Sequence, residues 1–154
     1  MYEFAGGEDA FLALARAFHQ RCLDDPVLAH PFSHTGHPQH VERLGGYWAE
    51  ALGGPPLYSS VSEGQSAMLH LHAGMEEDDD LATRFIECFV RAADDAALPS
   101  DPTFRQGLRD YIEWATSDVH RYSPRGSVVP GGLTVPQWSW DGLVAGSGEH
   151  EGRR

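Results

Sequence analysis

Apolar side chains recur along this chain at helical spacing. Between Asp9 and Leu23, the residues Phe11, Leu14, Phe18 and Cys22 fall three and four apart and share one face. Asp24-Asp25-Pro26 closes that helix, because proline cannot extend the hydrogen-bond ladder. A short turn around Val27-Leu28-Ala29 follows, then a loop through Thr35-Gly36-His37-Pro38. From Pro38 to Leu52, Val41, Leu44, Trp48 and Leu52 again line one face, and Gly53-Gly54-Pro55-Pro56 stops the element. Ala67 to His72 is long enough for about two turns. Leu81, Phe85, Cys88, Phe89 and Ala92 mark a further helix. Phe104, Leu108, Tyr111, Ile112, Ala115 and Val119 mark the last, from Pro102 to about Arg121. No segment alternates with period two, so the pattern predicts an all-α fold of five or six helices.

The last stretch breaks this rhythm. Residues 123–154 hold seven glycines and three prolines, a composition that predicts an irregular extension to a domain ending near residue 122. Trp138 or Trp140 within it is expected to pack back on the domain or on a neighbouring chain, since an indole has much apolar surface to bury. The acidic run Glu76 to Asp80 reads as solvated carboxylates at a helix N-terminus. A hard-cation loop would need carbonyl ligands and a turn glycine at set positions as well.

Composition narrows the functions. The 154 residues suit one domain, and 41% hydrophobic residues with four tryptophans suffice for a core. A formal net charge of −12 argues against nucleic acid or an anionic membrane surface as partner. Cys22 and Cys88 stand far apart without a CxxC motif, so neither a disulfide framework nor a zinc knuckle is suggested, and a cytoplasmic location is expected. The N-terminus lacks the basic and apolar regions of a signal peptide, and no apolar run is long enough to span a membrane.

Nine histidines are the outlier: His19, His30, His34, His37, His40, His70, His72, His120 and His150. His19, His40 and His72 each lie beside apolar residues on a different predicted helix. A single such histidine is ordinarily a hydrogen-bonded boundary residue. Three without a nucleophile or a carboxylate pair point elsewhere, because both cysteines sit mid-helix rather than on an activating turn or helix N-terminus. Zinc held by His30, His34, His37 and His40 has workable spacing but lacks the cysteines or the HExxH helix such sites use. Imidazoles in an apolar helical pocket suit haem, a large flat cofactor with one open axial position.

The glycine pair Gly6-Gly7 with AFLALARAFHQRCLDDPVLAHPF, then HVERLGGYWAEALGGPPLY, then MLHLHAGM leading into RFIECF, together resemble the truncated haemoglobins, most closely their second group, over about residues 2–122. The resemblance implies a two-over-two helical sandwich, haem b, and reversible binding of oxygen or another diatomic ligand. It leaves room for redox chemistry on nitric oxide, sulfide or peroxide. It implies His72 as the proximal iron ligand in preference to His70, which lies about 200° round the helix. Met68 and Leu69 come one turn before His72, and Met75 lies in the continuation after it. On the distal side Phe18-His19 replaces the family's usual Phe-Tyr, a departure that puts an imidazole where a phenol would donate. His40 falls at the distal-histidine position with Leu44 one turn on. His19 and His40 are each read as a hydrogen-bond donor or a sixth ligand. The resemblance further assigns Phe32 as a wedge on the porphyrin, Tyr47 and Trp48 as distal-helix aromatics and Phe85 in place of a tryptophan. Arg43 and Tyr58 are its candidates for the propionates. An electron-donating reductase with a basic face would suit the acidic surface, and a homodimer is compatible with the chain. The competing class is a non-haem helical module that holds a divalent metal through clustered histidines, or an interaction domain using the Trp-containing extension.

Overall fold

The computed structural model describes residues 1–29 and 38–148. Six helices fall within them: α1 (Tyr2–Ala5), α2 (Glu8–Asp24), α3 (His40–Ala51), α4 (Gly64–His72), α5 (Asp79–Asp95) and α6 (Pro102–His120). A two-residue antiparallel ladder, β1 (Trp138–Ser139) with β2 (Gly142–Leu143), lies in the extension. That ladder is the one departure from the all-helical expectation.

Helix α2 packs against both α3 and α5, and α5 packs on α6, which layers α2 and α3 over α5 and α6. The α2 face read from spacing is the core itself: Phe11, Leu14, Phe18 and Cys22 are fully buried. Phe18 stands at its centre, edge-on to Trp48 at 5.2 Å and to Phe85 at 4.9 Å between ring centroids. Gly45 permits the α2–α3 crossing, since a Cβ there would come within 3.1 Å of the Phe11 carbonyl oxygen.

Carboxylates set the element boundaries. Asp25 accepts from the backbone N–H groups of Val27 and Leu28 at 2.8 and 3.2 Å, turning the chain out of α2. The guanidinium of Arg84 on α5 donates to both its oxygens at 3.2 Å. Asp78 caps α5 by accepting from Leu81 N–H at 2.8 Å, so the acidic run does open a helix. Asp101 caps α6 in the same way through Phe104 N–H, with Pro102 in the first turn.

Beyond α6 the extension folds back on the domain. Trp138 packs against Tyr111 and Trp114, with centroids 5.9 and 5.7 Å apart, and Trp140 lies against Phe4 at 5.3 Å. Among the described residues, no helix is long and apolar enough to cross a membrane.

Candidate functional site

Helix α4 is short, and its last residue carries the most informative contact in the molecule. The Nδ1 of half-buried His72 stands 2.9 Å from the carbonyl oxygen of Met68, one turn back. A carbonyl can only accept, so Nδ1 carries the proton and Nε2 keeps its lone pair. An imidazole held in this tautomer and orientation is the form that ligates a metal. His70 is exposed, as is Leu71. Met68 is half-buried against the core, and Met75 is half-exposed in the segment after the helix. Leu69 is buried, on the wall of a cavity of about 440 Å³ shared with Trp114 and Tyr122 of α6 and its end and with Leu133 and Pro136 of the extension.

A second pair of imidazoles comes from α2 and α3. His19 and His40, both half-buried, have ring centroids 5.6 Å apart at an interplanar angle of 60°. Residues 21 positions apart in sequence are thus brought together because α2 and α3 pack closely at their facing sides. One turn along α3, Arg43 places its Nε out of solvent with no hydrogen-bond partner among the described residues. A buried guanidinium nitrogen without an acceptor is costly, and it fits an anionic group arriving from outside the chain. Tyr58 is buried in the loop after α3. Burial raises its phenol pKa, against the lowering effects of Ser62 and of the Arg43 charge.

The aromatic candidates divide. Leu44 is half-buried against the core, while Tyr47 and Trp48 are buried within it. Phe85 meets Phe18 edge-on. The Tyr47 hydroxyl donates to Gln65 Oε1 at 2.7 Å, joining α3 to α4, and full burial drives its pKa well up. Phe32 lies outside the described residues, as do His30, His34 and His37 of the four-histidine alternative. Among the described residues, no three His, Cys, Asp or Glu side chains stand together to hold an ion.

Two residues that matter here were not singled out from sequence. Glu50, buried on α3, accepts from the N–H groups of Tyr58 and Ser59 at 3.1 and 2.8 Å and from the Ser59 hydroxyl. It shapes the loop that carries Tyr58. Gln65 is the other. A carboxylate on an otherwise apolar helix face, eight residues before a tyrosine that follows two prolines, was the available signal for Glu50.

These residues fit haem: an imidazole whose Nδ1 is held by a carbonyl on one short helix, a buried guanidinium nitrogen with no acceptor among the described residues and suited to a propionate, and apolar side chains beside them. Two layered helix pairs with a histidine at the end of a short separate helix are the arrangement that the truncated-globin resemblance implies. The chain belongs to the Bacterial-like globin family, which matches residues 1–113. It is similar to the thermostable haemoglobin of the actinobacterium Thermobifida fusca, with 29% identity, a TM-score of 0.63, and coverage of 77% of this chain and 94% of that one. The haemoglobin of the thermophilic phototroph Chloroflexus aurantiacus shares the fold at 24% identity, with a TM-score of 0.65 and coverage of 77% and 94%. Among curated proteins, none matches. The truncated-haemoglobin resemblance in the sequence is therefore upheld, and the protein is a haem-binding globin.

Proposed function

We propose that this globin, of the second truncated group, holds haem b through Nε2 of His72 and binds oxygen or a similar diatomic ligand reversibly. The observation that carries the reading is the 2.9 Å contact between His72 Nδ1 and the Met68 carbonyl, which leaves Nε2 for iron. Held by His72, ferrous haem would supply an iron able to bind a small diatomic ligand reversibly. The protein's residues do the rest. The Met68 carbonyl holds the Nδ1 proton, and as a neutral acceptor it pushes less electron density through the imidazole than a carboxylate would. This favours ligand binding over peroxide cleavage.

Arg43 and Tyr58 take the propionates, which gives the orphaned Nε its acceptor. Leu44, Met68, Leu69, Met75 and Phe85 supply apolar surface near the porphyrin, with Tyr47 and Trp48 behind them and Phe32 assigned on resemblance alone. His19 and His40 form the polar distal pair. One of them presents an N–H toward the ligand, their rings standing side by side between α2 and α3. Two thiols outside any disulfide fit a cytoplasmic protein, and the acidic surface fits a basic reductase that keeps the iron ferrous.

The test is an absorption spectrum of the haem-reconstituted protein: ferric, then reduced, then under carbon monoxide. A ferrous-carbonyl band is expected for the wild type and for His70→Ala, whereas His72→Ala loses stable haem uptake. Equal haem retention by the two variants refutes the axial assignment. A ferric spectrum that is high-spin with His19 and His40 intact excludes either imidazole as a sixth ligand and leaves the donor role.

A further inference from the structure

The nine residues of α4 are too few to hold a helix by themselves. Nor is α4 among the elements of the principal helix–helix packing, which joins α3 to α2, α2 to α5 and α5 to α6. Beside the Tyr47–Gln65 hydrogen bond to α3, its anchors come from the chain beyond α6. At the start of α4, Gln65 N–H donates to the Leu133 carbonyl at 3.1 Å. The Ser66 hydroxyl donates to the Pro130 carbonyl at 2.7 Å and accepts from Leu133 N–H at 2.9 Å. Just past its end, Gly74 N–H donates to the Tyr122 carbonyl and Glu76 N–H to the Ser123 carbonyl, both at 2.8 Å. The Ser123 hydroxyl accepts from Glu77 N–H at 2.6 Å. Ser66 and Ser123 are 3% and 4% exposed, so water does not readily replace these bonds.

We propose that residues 122–133 form a strap that positions His72, gripping α4 at both ends so that the imidazole meets the iron in one fixed orientation. The proposal rests on the axial reading of His72. The strap lies beyond residue 113, where the family match ends. His72 lies between the two grips, six residues after Ser66 and two before Gly74. Whatever loosens either grip lets the helix tilt or slide and changes the direction in which Nε2 points. Ser66 and Ser123 are accordingly positioning residues, acting on the iron through the helix rather than by contact.

Full-length holoprotein carrying Ser66→Ala, Ser123→Ala or both tests this, with His72→Ala and Val128→Ala beside them. Val128 lies within the same segment but is exposed and takes part in neither grip. The readouts are the iron–histidine stretching band of the ferrous five-coordinate protein by resonance Raman, and the rate of haem transfer to apomyoglobin. Each serine variant is expected to shift or broaden the band and to speed haem loss about fivefold, the factor carried by one ordinary hydrogen bond. Val128→Ala is expected to match the wild type. Should the double variant not fold, the singles carry the test. A band and transfer rate indistinguishable from wild type in the serine variants, with His72→Ala devoid of haem, refutes the strap alone. Haem uptake undiminished in His72→Ala refutes the axial assignment and, with it, the premise of the strap.

Discussion

Replacing Glu50 should reveal how strongly the loop that carries Tyr58 depends on one buried carboxylate. One oxygen, Oε1, accepts both the Tyr58 and the Ser59 backbone N–H groups, and Oε2 takes the Ser59 hydroxyl. Glu50→Ala strips the acceptor from two backbone donors. Hydrogen bonds to an ionised group contribute about 1.5–3 kcal/mol each. Ser59 is half-buried, so water recovers part of that loss and the net cost is about 3 kcal/mol. Glu50→Gln keeps a carbonyl oxygen for both N–H groups but loses the charge and turns an NH2 donor toward the Ser59 hydroxyl, at about 1 kcal/mol. For a chain of this size the alanine variant should melt roughly 6–12 °C lower and the glutamine variant roughly 2–4 °C lower. Thermal unfolding followed by circular dichroism, checked against urea midpoints, measures both. Equal losses in the two variants would refute the argument, because they would mean that the shared acceptor oxygen contributes nothing.

Gly64→Ala should destabilise α4 by about 1–2 kcal/mol, since the position has φ +64° and a Cβ would sit 3.0 Å from the Leu133 carbonyl oxygen; a urea midpoint unchanged from wild type would contradict it. The Asp25 carboxyl is held below its ordinary range, first by the Val27 N–H, with Leu28 N–H and Arg84 adding to the effect. A depressed folded-state value means that this contribution is complete above about pH 4 and fades as pH falls through the folded value. Asp25→Asn should therefore flatten the acid limb of a stability–pH curve, and an identical limb in the variant would refute the linkage.

Much of the body could be read from spacing because its helices bury one continuous face each. The residues Phe11, Leu14, Phe18 and Cys22 mark α2, and the Asp-Asp-Pro stop places its end at Asp24. The start of α4 is less visible. Apolar periodicity begins it at Ala67, but the helix opens at Gly64, because Gln65 and Ser66 are buried through hydrogen bonds to Tyr47 and the extension rather than through apolar character. The extension itself is irregular, as its glycines and prolines imply. Its contacts with α4 are made mainly by backbone groups, which leave no trace in a pattern of side chains. The histidine pair at 19 and 40 was legible as chemistry but not as an adjacency, which depends on how α2 crosses α3.

Timing during synthesis follows from where the strap lies along the chain. Ser66 bonds to residues 64 and 67 positions later. At about 5–20 residues per second, a ribosome takes roughly 3 to 13 seconds to make that intervening stretch. Through that interval α2, α3 and α4 exist without the segment that pins the histidine-bearing helix. With His72 as the proposed ligand and the strap as the proposed grip, a nascent chain would complete this geometry only when its C-terminal portion has emerged, which would make cofactor capture one of the last events in maturation.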